Sequence, residues 1–308
     1  MNKCLVIGGC NIDIIAKSNQ PLIKQNSNIG TVSITFGGVS RNIGENMALL
    51  GEHIYYSTVF SDDYFGKILY QKCLDDHFNL NYSKIVSNYN TSTYLAVLNQ
   101  DNDMDIGIND MEIINALVVS DLKKILCDFD EDDFVIVDTN LSIECLTYIL
   151  EHKHYHVALD PISIDKVGKI NNLVQYIDIF KPNLYEAIEL TGLDDPLTSI
   201  KKLVDLGIKE VCLTLNKDGV LYYNNGVYKR QFINQDIIIN NATGAGDCFL
   251  AVYVTYRKRG YAIDEAITLS MVASALKLGC ATSVNGLMND DYLKEHIKDY
   301  NIEMEEIC

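Results

Sequence analysis

Two glycines and an acid close the stretch Asn241-Ala242-Thr243-Gly244-Ala245-Gly246-Asp247. Ahead of it, Asp236-Ile237-Ile238-Ile239-Asn240 is a β-branched run that predicts a strand. Behind it, Cys248 to Tyr256 is apolar on nearly every side, the pattern of a buried helix, and Arg257-Lys258-Arg259 with Gly260 just beyond marks its end. Amides at a helix start are unpaired and carry the positive end of the dipole, and glycine lets an anion come close to them. Asp247 is then either a helix-start acid, stabilised by about 0.3–1 kcal/mol, or a group that trades a proton with whatever the amides hold. Spacing alone leaves both open.

Two further pairs carry chemistry. Asn11 and Asp13 follow the apolar run Cys4-Leu5-Val6-Ile7, at the carboxyl end of a first strand, where open α/β sheets place ligands. An ionised acid beside an amide suits vicinal hydroxyls, because a carboxylate accepts from two donors. Asn183 and Glu186 stand one turn apart at a helix start and share a face. They suit the hydration shell of Mg²⁺, and equally a capping box.

The elements that position these residues come in two rhythms. After the first strand (3–9), 31–36 alternates with period two, Gly37-Gly38 breaks it, and Arg41 to Leu50 reads as a helix closed by Gly51. A strand at 54–59 and a helix at 63–76 follow. Thr91–Gln100 and Met104–Ile108 read as a hairpin turning at Asp101-Asn102-Asp103, and with 31–36 they predict a small separate sheet. From about residue 120 strands and helices alternate: 134–137, 142–152, 156–159, 176–180, a helix from 183, and 210–215. A hairpin, 220–223 with 227–231, then turns at Asn224-Asn225-Gly226. Such alternation predicts an α/β fold, a mostly parallel sheet with helices on both faces, carrying a small β lid. The expectation is one domain over 1–308, with lid strands from about 12–36 and 91–108.

Composition narrows the partners. With 25 basic and 42 acidic residues the net charge is -17, which argues against nucleic acid and anionic membranes. The nine cysteines are odd in number and hold no CxxC pair, as expected of thiols in a reducing cytoplasm. His152-Lys153-His154-Tyr155-His156 lacks a carboxylate or thiol to complete a metal shell and reads as a solvated run.

Gly37-Gly38-Val39-Ser40-Arg41-Asn42, Lys181-Pro182-Asn183-Leu184-Tyr185-Glu186 and Thr243-Gly244-Ala245-Gly246-Asp247 together resemble the PfkB/ribokinase family of carbohydrate and nucleoside kinases. The likeness spans nearly the whole chain. Gly38 to Ile43, Thr91 to Leu95, Ile108 to Met111, Asp138 to Ser142, Asp160 to Ser163 and Lys217 to Val220 are similar to family members that phosphorylate pseudouridine.

The resemblance implies an ATP- and Mg²⁺-dependent kinase acting on the 5′-hydroxyl of that nucleoside. Asp247 would be the general base, and the amides of Gly244, Ala245 and Gly246 would meet the charge building on the transferred phosphoryl group. Asn11, Asp13, Gly38 and Asn42 would hold the sugar, and Thr93, Asn109 and Asn140 would read the base edge. Asn183, Thr214, Asn216 and Gly219 would hold the nucleotide, with Glu186 on Mg²⁺ through water. Asn241 and Thr243 sit where relatives bind a monovalent cation such as K⁺, but Asn241 replaces an acid common there, and Asn216 replaces a glycine. Val39 stands where ribokinases carry a lysine, which argues against free ribose. Relatives also imply pairing of two copies through the lid. Kinases for uridine-, adenosine- or inosine-type nucleosides or for a free sugar remain alternatives, and a non-catalytic nucleoside sensor is a further one.

Overall fold

The structure, a computed structural model, describes residues 2–101 and 103–307. The first third holds β1 (Cys4–Ile7), β2 (Asn11–Ser18), β3 (Gly30–Gly37), α1 (Val39–Leu49), β4 (Ile54–Ser57), β5 (Val59–Ser61), α2 (Tyr64–Asp75), β6 (Lys84–Val86), β7 (Thr93–Leu98) and β8 (Met104–Asp110). Then come α3 (Val119–Leu126), β9 (Phe134–Asp138), α4 (Ile143–Glu151), β10 (His156–Asp160), α5 (Ile164–Val167), β11 (Ile179–Phe180), α6 (Leu184–Thr191), α7 (Pro196–Asp205) and β12 (Glu210–Thr214). The last part is β13 (Val220–Asn224), β14 (Val227–Ile233), α8 (Ala245–Lys258), α9 (Ile263–Leu278), α10 (Asp290–His296) and β15 (Ile302–Ile307).

Nine strands form the main sheet in the order β15-β14-β13-β12-β11-β10-β9-β1-β4. From β4 to β12 neighbours run parallel, and the β13–β15 edge is antiparallel. The central strands β1 and β9 are buried at every residue, as strands covered on both faces must be. Two separate apolar clusters confirm the layering. One packs α1, α2, α8 and α9 on one face, and the other packs α3, α4 and α7 on the opposite face. Helix α8 is buried from Asp247 to Tyr256, has Arg257 and Lys258 in its last turn, and is followed by Gly260 at φ 83°. The fold is α/β, with a large parallel sheet flanked by helices.

A second sheet has four strands in the order β3-β2-β7-β8. Its registers pair Asp13 with Thr35 and Tyr94, and Tyr94 with Asn109, so these four share one face. Ile14, Ile34, Leu95 and Ile108 form a row on the other face, next to Ala16, Val32, Val97 and Ile106. Val32, Ile34, Ile106 and Ile108 are all more than half exposed.

Three expectations change. Asp236–Asn240 is not a strand, and Ile238 is 76% exposed. The edge beside β14 is taken by β15, paired over six residues, so the β-branched run has no ladder to join. Asn11 and Asp13, expected at the carboxyl end of the first strand, instead open a further strand, β2, which pairs on both sides with β3 and β7. The strand expected over 176–180 shrinks to Ile179–Phe180, because Val174–Tyr176 winds into a 3₁₀ turn. Asn102, the middle of the expected lid turn, lies outside the described residues.

Candidate active site

The carboxyl ends of β9 and β10 each deliver a buried aspartate, and the start of α8 delivers a third. Asp138, fully buried, accepts from the backbone N–H groups of Gly9 (3.2 Å), Ser40 (3.1 Å) and Asn140 (2.9 Å). It thereby ties the start of α1 to the segments that follow β1 and β9 at the carboxyl end of the sheet. Burial pushes its carboxyl up to about 6, against those three donors. Asp160 meets the Lys181 ammonium at 3.1 Å. Burial alone would lower the Lys181 ammonium, but Asp160, Glu186 and Asp247 outweigh it and raise it.

Asp247 sits in the first turn of α8, only 9% exposed. Burial is the main cause that pushes its carboxyl up to about 7; Asp160 adds to this, while the Asn42 hydrogen bond and Lys181 oppose it. Asn42 Nδ2 donates to Asp247 Oδ2 at 2.7 Å. Oδ1 accepts no hydrogen bond from the described residues. A carboxyl poised near neutrality with one oxygen open can take a proton from an approaching hydroxyl.

The cradle before it is built as the glycines require. Gly244 adopts φ 84°, and a Cβ there would lie 2.1 Å from the Ser283 carbonyl oxygen. Of the three amides expected to meet an anion, that of Ala245 is engaged by Ala242 O at 3.3 Å, whereas those of Gly244 and Gly246, and that of Asp247 beyond them, meet no acceptor among the described residues. A Cβ on Gly246 would lie 2.9 Å from Lys181 Nζ. The Lys181 ammonium therefore stands beside the first turn of α8, where free amides and the helix dipole favour negative charge.

Of the residues expected to hold the acceptor, Asp13 is linked through Gly37 and Arg41 to Asn42, the partner of Asp247. Asn11 Nδ2 donates to Asp13 Oδ1 at 2.5 Å. Burial raises the Asp13 carboxyl, opposed by Asn11 and by Arg41. A Cβ on Gly37 would lie 2.3 Å from Asp13 Oδ2, so Gly37 makes the room that carboxylate occupies. Gly38, at φ 103°, would clash through a Cβ with the Gly9 carbonyl oxygen at 2.4 Å. Asn140 Oδ1 accepts from Lys166 Nζ at 2.5 Å, and its amide N–H groups have no acceptor among the described residues. Asn109 shares the Asp13 face of the small sheet. Thr93 does not: its register puts it on the opposite face, and its hydroxyl donates to Thr91 O at 2.9 Å.

Of the residues expected on the nucleotide side, Asn183 and Glu186 form a capping box. Asn183 Oδ1 accepts from Glu186 N (3.0 Å), and Glu186 Oε2 accepts from Asn183 N (2.8 Å). The bland reading of the pair is therefore realised in full, and only Glu186 Oε1 is left without a hydrogen bond among the described residues. Thr214 bridges to Asn183. Asn216 adopts φ 53°, a left-handed conformation that asparagine tolerates in place of glycine. Gly219, at φ 87°, would meet the Gln231 carbonyl oxygen at 2.0 Å through a Cβ. Among the described residues no group of three or more His, Cys, Asp or Glu could hold a metal. Glu186 would thus fit Mg²⁺ only through water.

The residues expected around a monovalent cation do not fit one. Asn241 Nδ2 donates to Ala281 O at 2.8 Å, and its Oδ1 accepts from Thr243 N at 2.9 Å. Its backbone oxygen is taken by the Lys277 ammonium at 2.6 Å. An amide donor and a lysine stand where a cation would need oxygens.

Four residues in this geometry carry no expected role: Arg41, Asp138, Asp160 and Lys181. The aspartates had a signal, since Phe134-Val135-Ile136-Val137-Asp138 and His156-Val157-Ala158-Leu159-Asp160 are apolar runs ending in an acid. Arg41 and Lys181 had none beyond their motifs, because a charge in sequence usually means solvent.

The pfkB family carbohydrate kinase model matches residues 1–289. The chain belongs to the pfkB family of carbohydrate kinases. It is 29% identical over 287 residues to the pseudouridine kinase of Escherichia coli (strain K12), covering 91% of this chain and 92% of that one. Among solved structures, a putative sugar kinase from Clostridium perfringens superposes with a TM-score of 0.86 at 26% identity, covering 100% of this chain and 99% of that one. A putative ribokinase II from E. coli in complex with ATP and Mg²⁺ superposes at 0.83, with 18% identity over 97% of this chain and 100% of that one. As a pfkB kinase the chain is a phosphotransferase with an alcohol acceptor, and its fold is ribokinase-like. No helix among the described residues is long and apolar enough to cross a membrane.

Proposed function

We propose that this kinase transfers the γ-phosphoryl group of ATP to the 5′-hydroxyl of pseudouridine, giving pseudouridine 5′-phosphate. The observation that carries the reading is Asp247, buried, raised to about 7 and held by Asn42 on one oxygen, at the mouth of the Gly244–Gly246 cradle. Asp13 and Asn11 accept and donate to the ribose hydroxyls and bring the 5′-hydroxyl toward Asp247 Oδ1. Asp247, whose ionised form Lys181 favours, takes the proton as the hydroxyl attacks and ADP leaves, and the Gly244 and Gly246 amides, joined by that of Asp247, meet the charge that gathers on the phosphoryl oxygens. Glu186 is the residue that would hold Mg²⁺ through water, and the ion would supply positive charge against the phosphates. The small sheet serves as a lid whose Asp13 face turns to the acceptor and keeps water out. Its apolar outer face, with Val32, Ile34, Ile106 and Ile108, suits a second copy of the chain, which light scattering of the purified protein tests.

Support for the nucleoside comes from the relative at 29% identity and from Asn140, whose free N–H groups suit a carbonyl on a uracil ring. The test is ADP release over a panel of pseudouridine, uridine, adenosine, inosine, ribose and fructose 6-phosphate. Pseudouridine should have the highest kcat/KM, and a purine nucleoside or free sugar at the top would replace this reading.

A further inference from the structure

Arg41 lies in the wrong place for a cation. It is the third residue of α1, where the helix dipole disfavours positive charge, and it is 2% exposed. Four of its five donor hydrogens are nevertheless hydrogen-bonded. Nε donates to Gly37 O at 3.0 Å, and Nη2 to Phe36 O at 3.0 Å and Asn42 Oδ1 at 2.5 Å. Nη1 donates to Glu45 Oε2 at 2.6 Å and faces Asp76 Oδ2 at 3.6 Å. Lys72 ties the same two carboxylates together, so the guanidinium is held from behind.

We infer that Arg41 is the positioning residue that decides how the base Asp247 is presented. An asparagine amide can turn either its oxygen or its nitrogen to a neighbour. By donating to Asn42 Oδ1, Arg41 makes Nδ2 the atom that faces Asp247, where it donates at 2.7 Å. The reversed amide would set oxygen against carboxylate and push the base away from the cradle. The fixed amide instead holds Asp247 by Oδ2 and leaves Oδ1 to the substrate hydroxyl. The same guanidinium grips the Phe36 and Gly37 carbonyls, which end β3 beside Asp13. One side chain therefore registers the small sheet, the acceptor carboxylate and the base against each other. A lysine would keep the charge without the planar fork that reaches all three acceptors.

This inference rests on Asp247 being the base, and a double-mutant cycle separates the two claims. Arg41→Lys and Arg41→Gln are each made in the wild type and in Asn42→Ala, with kcat and KM measured at saturating ATP and melting temperature recorded for all. In the wild type either change should lower kcat at least tenfold with acceptor KM within about threefold. In Asn42→Ala the same change should cost less than about twofold, because the amide it would orient is gone. Equal losses in both backgrounds would overturn the inference, as would a change in KM alone. Should both variants fail to fold, Glu45→Gln, which loosens Arg41 without removing it, is run through the same cycle and judged by the same outcomes. Asp247→Asn is assayed alongside. If it stays active, the base assignment has failed instead.

Discussion

Replacing Lys181 by methionine should change when the enzyme works more than how well it works at its best. In the wild type, Asp247 at about 7 is ionised in roughly a tenth of molecules at pH 6 and roughly nine tenths at pH 8. Because kcat/KM reports the free enzyme, it should climb about tenfold across that interval. Lys181 favours the ionised form, and Asp160 and Asp138 oppose it from the ends of β10 and β9. The lysine is ion-paired to Asp160 at 3.1 Å and has no ion pair within 4.0 Å to Asp247. Taking roughly 6 Å and an effective dielectric constant of about 20, its attraction for Asp247 is about 3 kcal/mol, close to a factor of 100 in the ionisation equilibrium. Lys181→Met should then lose about fiftyfold in kcat/KM at pH 7 and only about twofold at pH 9. The assay is a pH series of ADP release at limiting acceptor, with melting temperature followed in each buffer. A loss of the same factor at every pH would refute the reasoning and reassign Lys181 to direct contact with the phosphates.

Asp247→Asn should abolish phosphoryl transfer while acceptor binding, followed by calorimetry, survives; more than a few per cent of activity rejects the base role. The same change should stabilise the protein. A carboxyl raised in the folded state gives stability that is complete below its unfolded value near 3.8 and is lost as pH climbs through about 7. The asparagine variant should therefore be more stable than wild type at pH 8, by on the order of a few kcal/mol, and the gap should close by pH 4. Asp13→Ala should raise acceptor KM far more than ATP KM, and equal effects on both would remove Asp13 from the sugar site. Activity and melting temperature should be the same in KCl and choline chloride, given the Asn241–Ala281 and Asn241–Lys277 bonds. Asn241→Asp, which removes the amide donor, should make both respond to K⁺, and a K⁺ response in the wild type would contradict the geometry.

The cradle was legible because its signals are local: glycine at fixed offsets, an apolar helix behind, and basic residues closing that helix. The alternation of apolar runs with helical patterns from residue 120 gave the parallel sheet for the same reason. What stayed hidden depends on contacts between distant segments. Arg41 meets Asn42 beside it but also Phe36, Glu45 and Asp76, and nothing in Gly38-Val39-Ser40-Arg41 says that the arginine turns inward. Lys181 and Asp160 are joined only because β10 and β11 are neighbours. Ile237-Ile238-Ile239 has strong strand propensity, yet the edge it could have joined belongs to a segment more than sixty residues later. Propensity proposes, and the sheet's free edges decide.

The place of β1 between β4 and β9 has a consequence for synthesis. Its partner β9 begins at Phe134, so one side of the first strand must wait for about 130 more residues, roughly 7 to 26 s at ordinary translation rates. By then β2, β3, β7 and β8 have all emerged, and that four-stranded sheet can close on itself first. The nascent chain then carries an apolar sheet face and an unpaired strand together, the two features that draw chaperones and promote aggregation. Truncations ending before β9 should bind chaperone, and those that include β9 should be released.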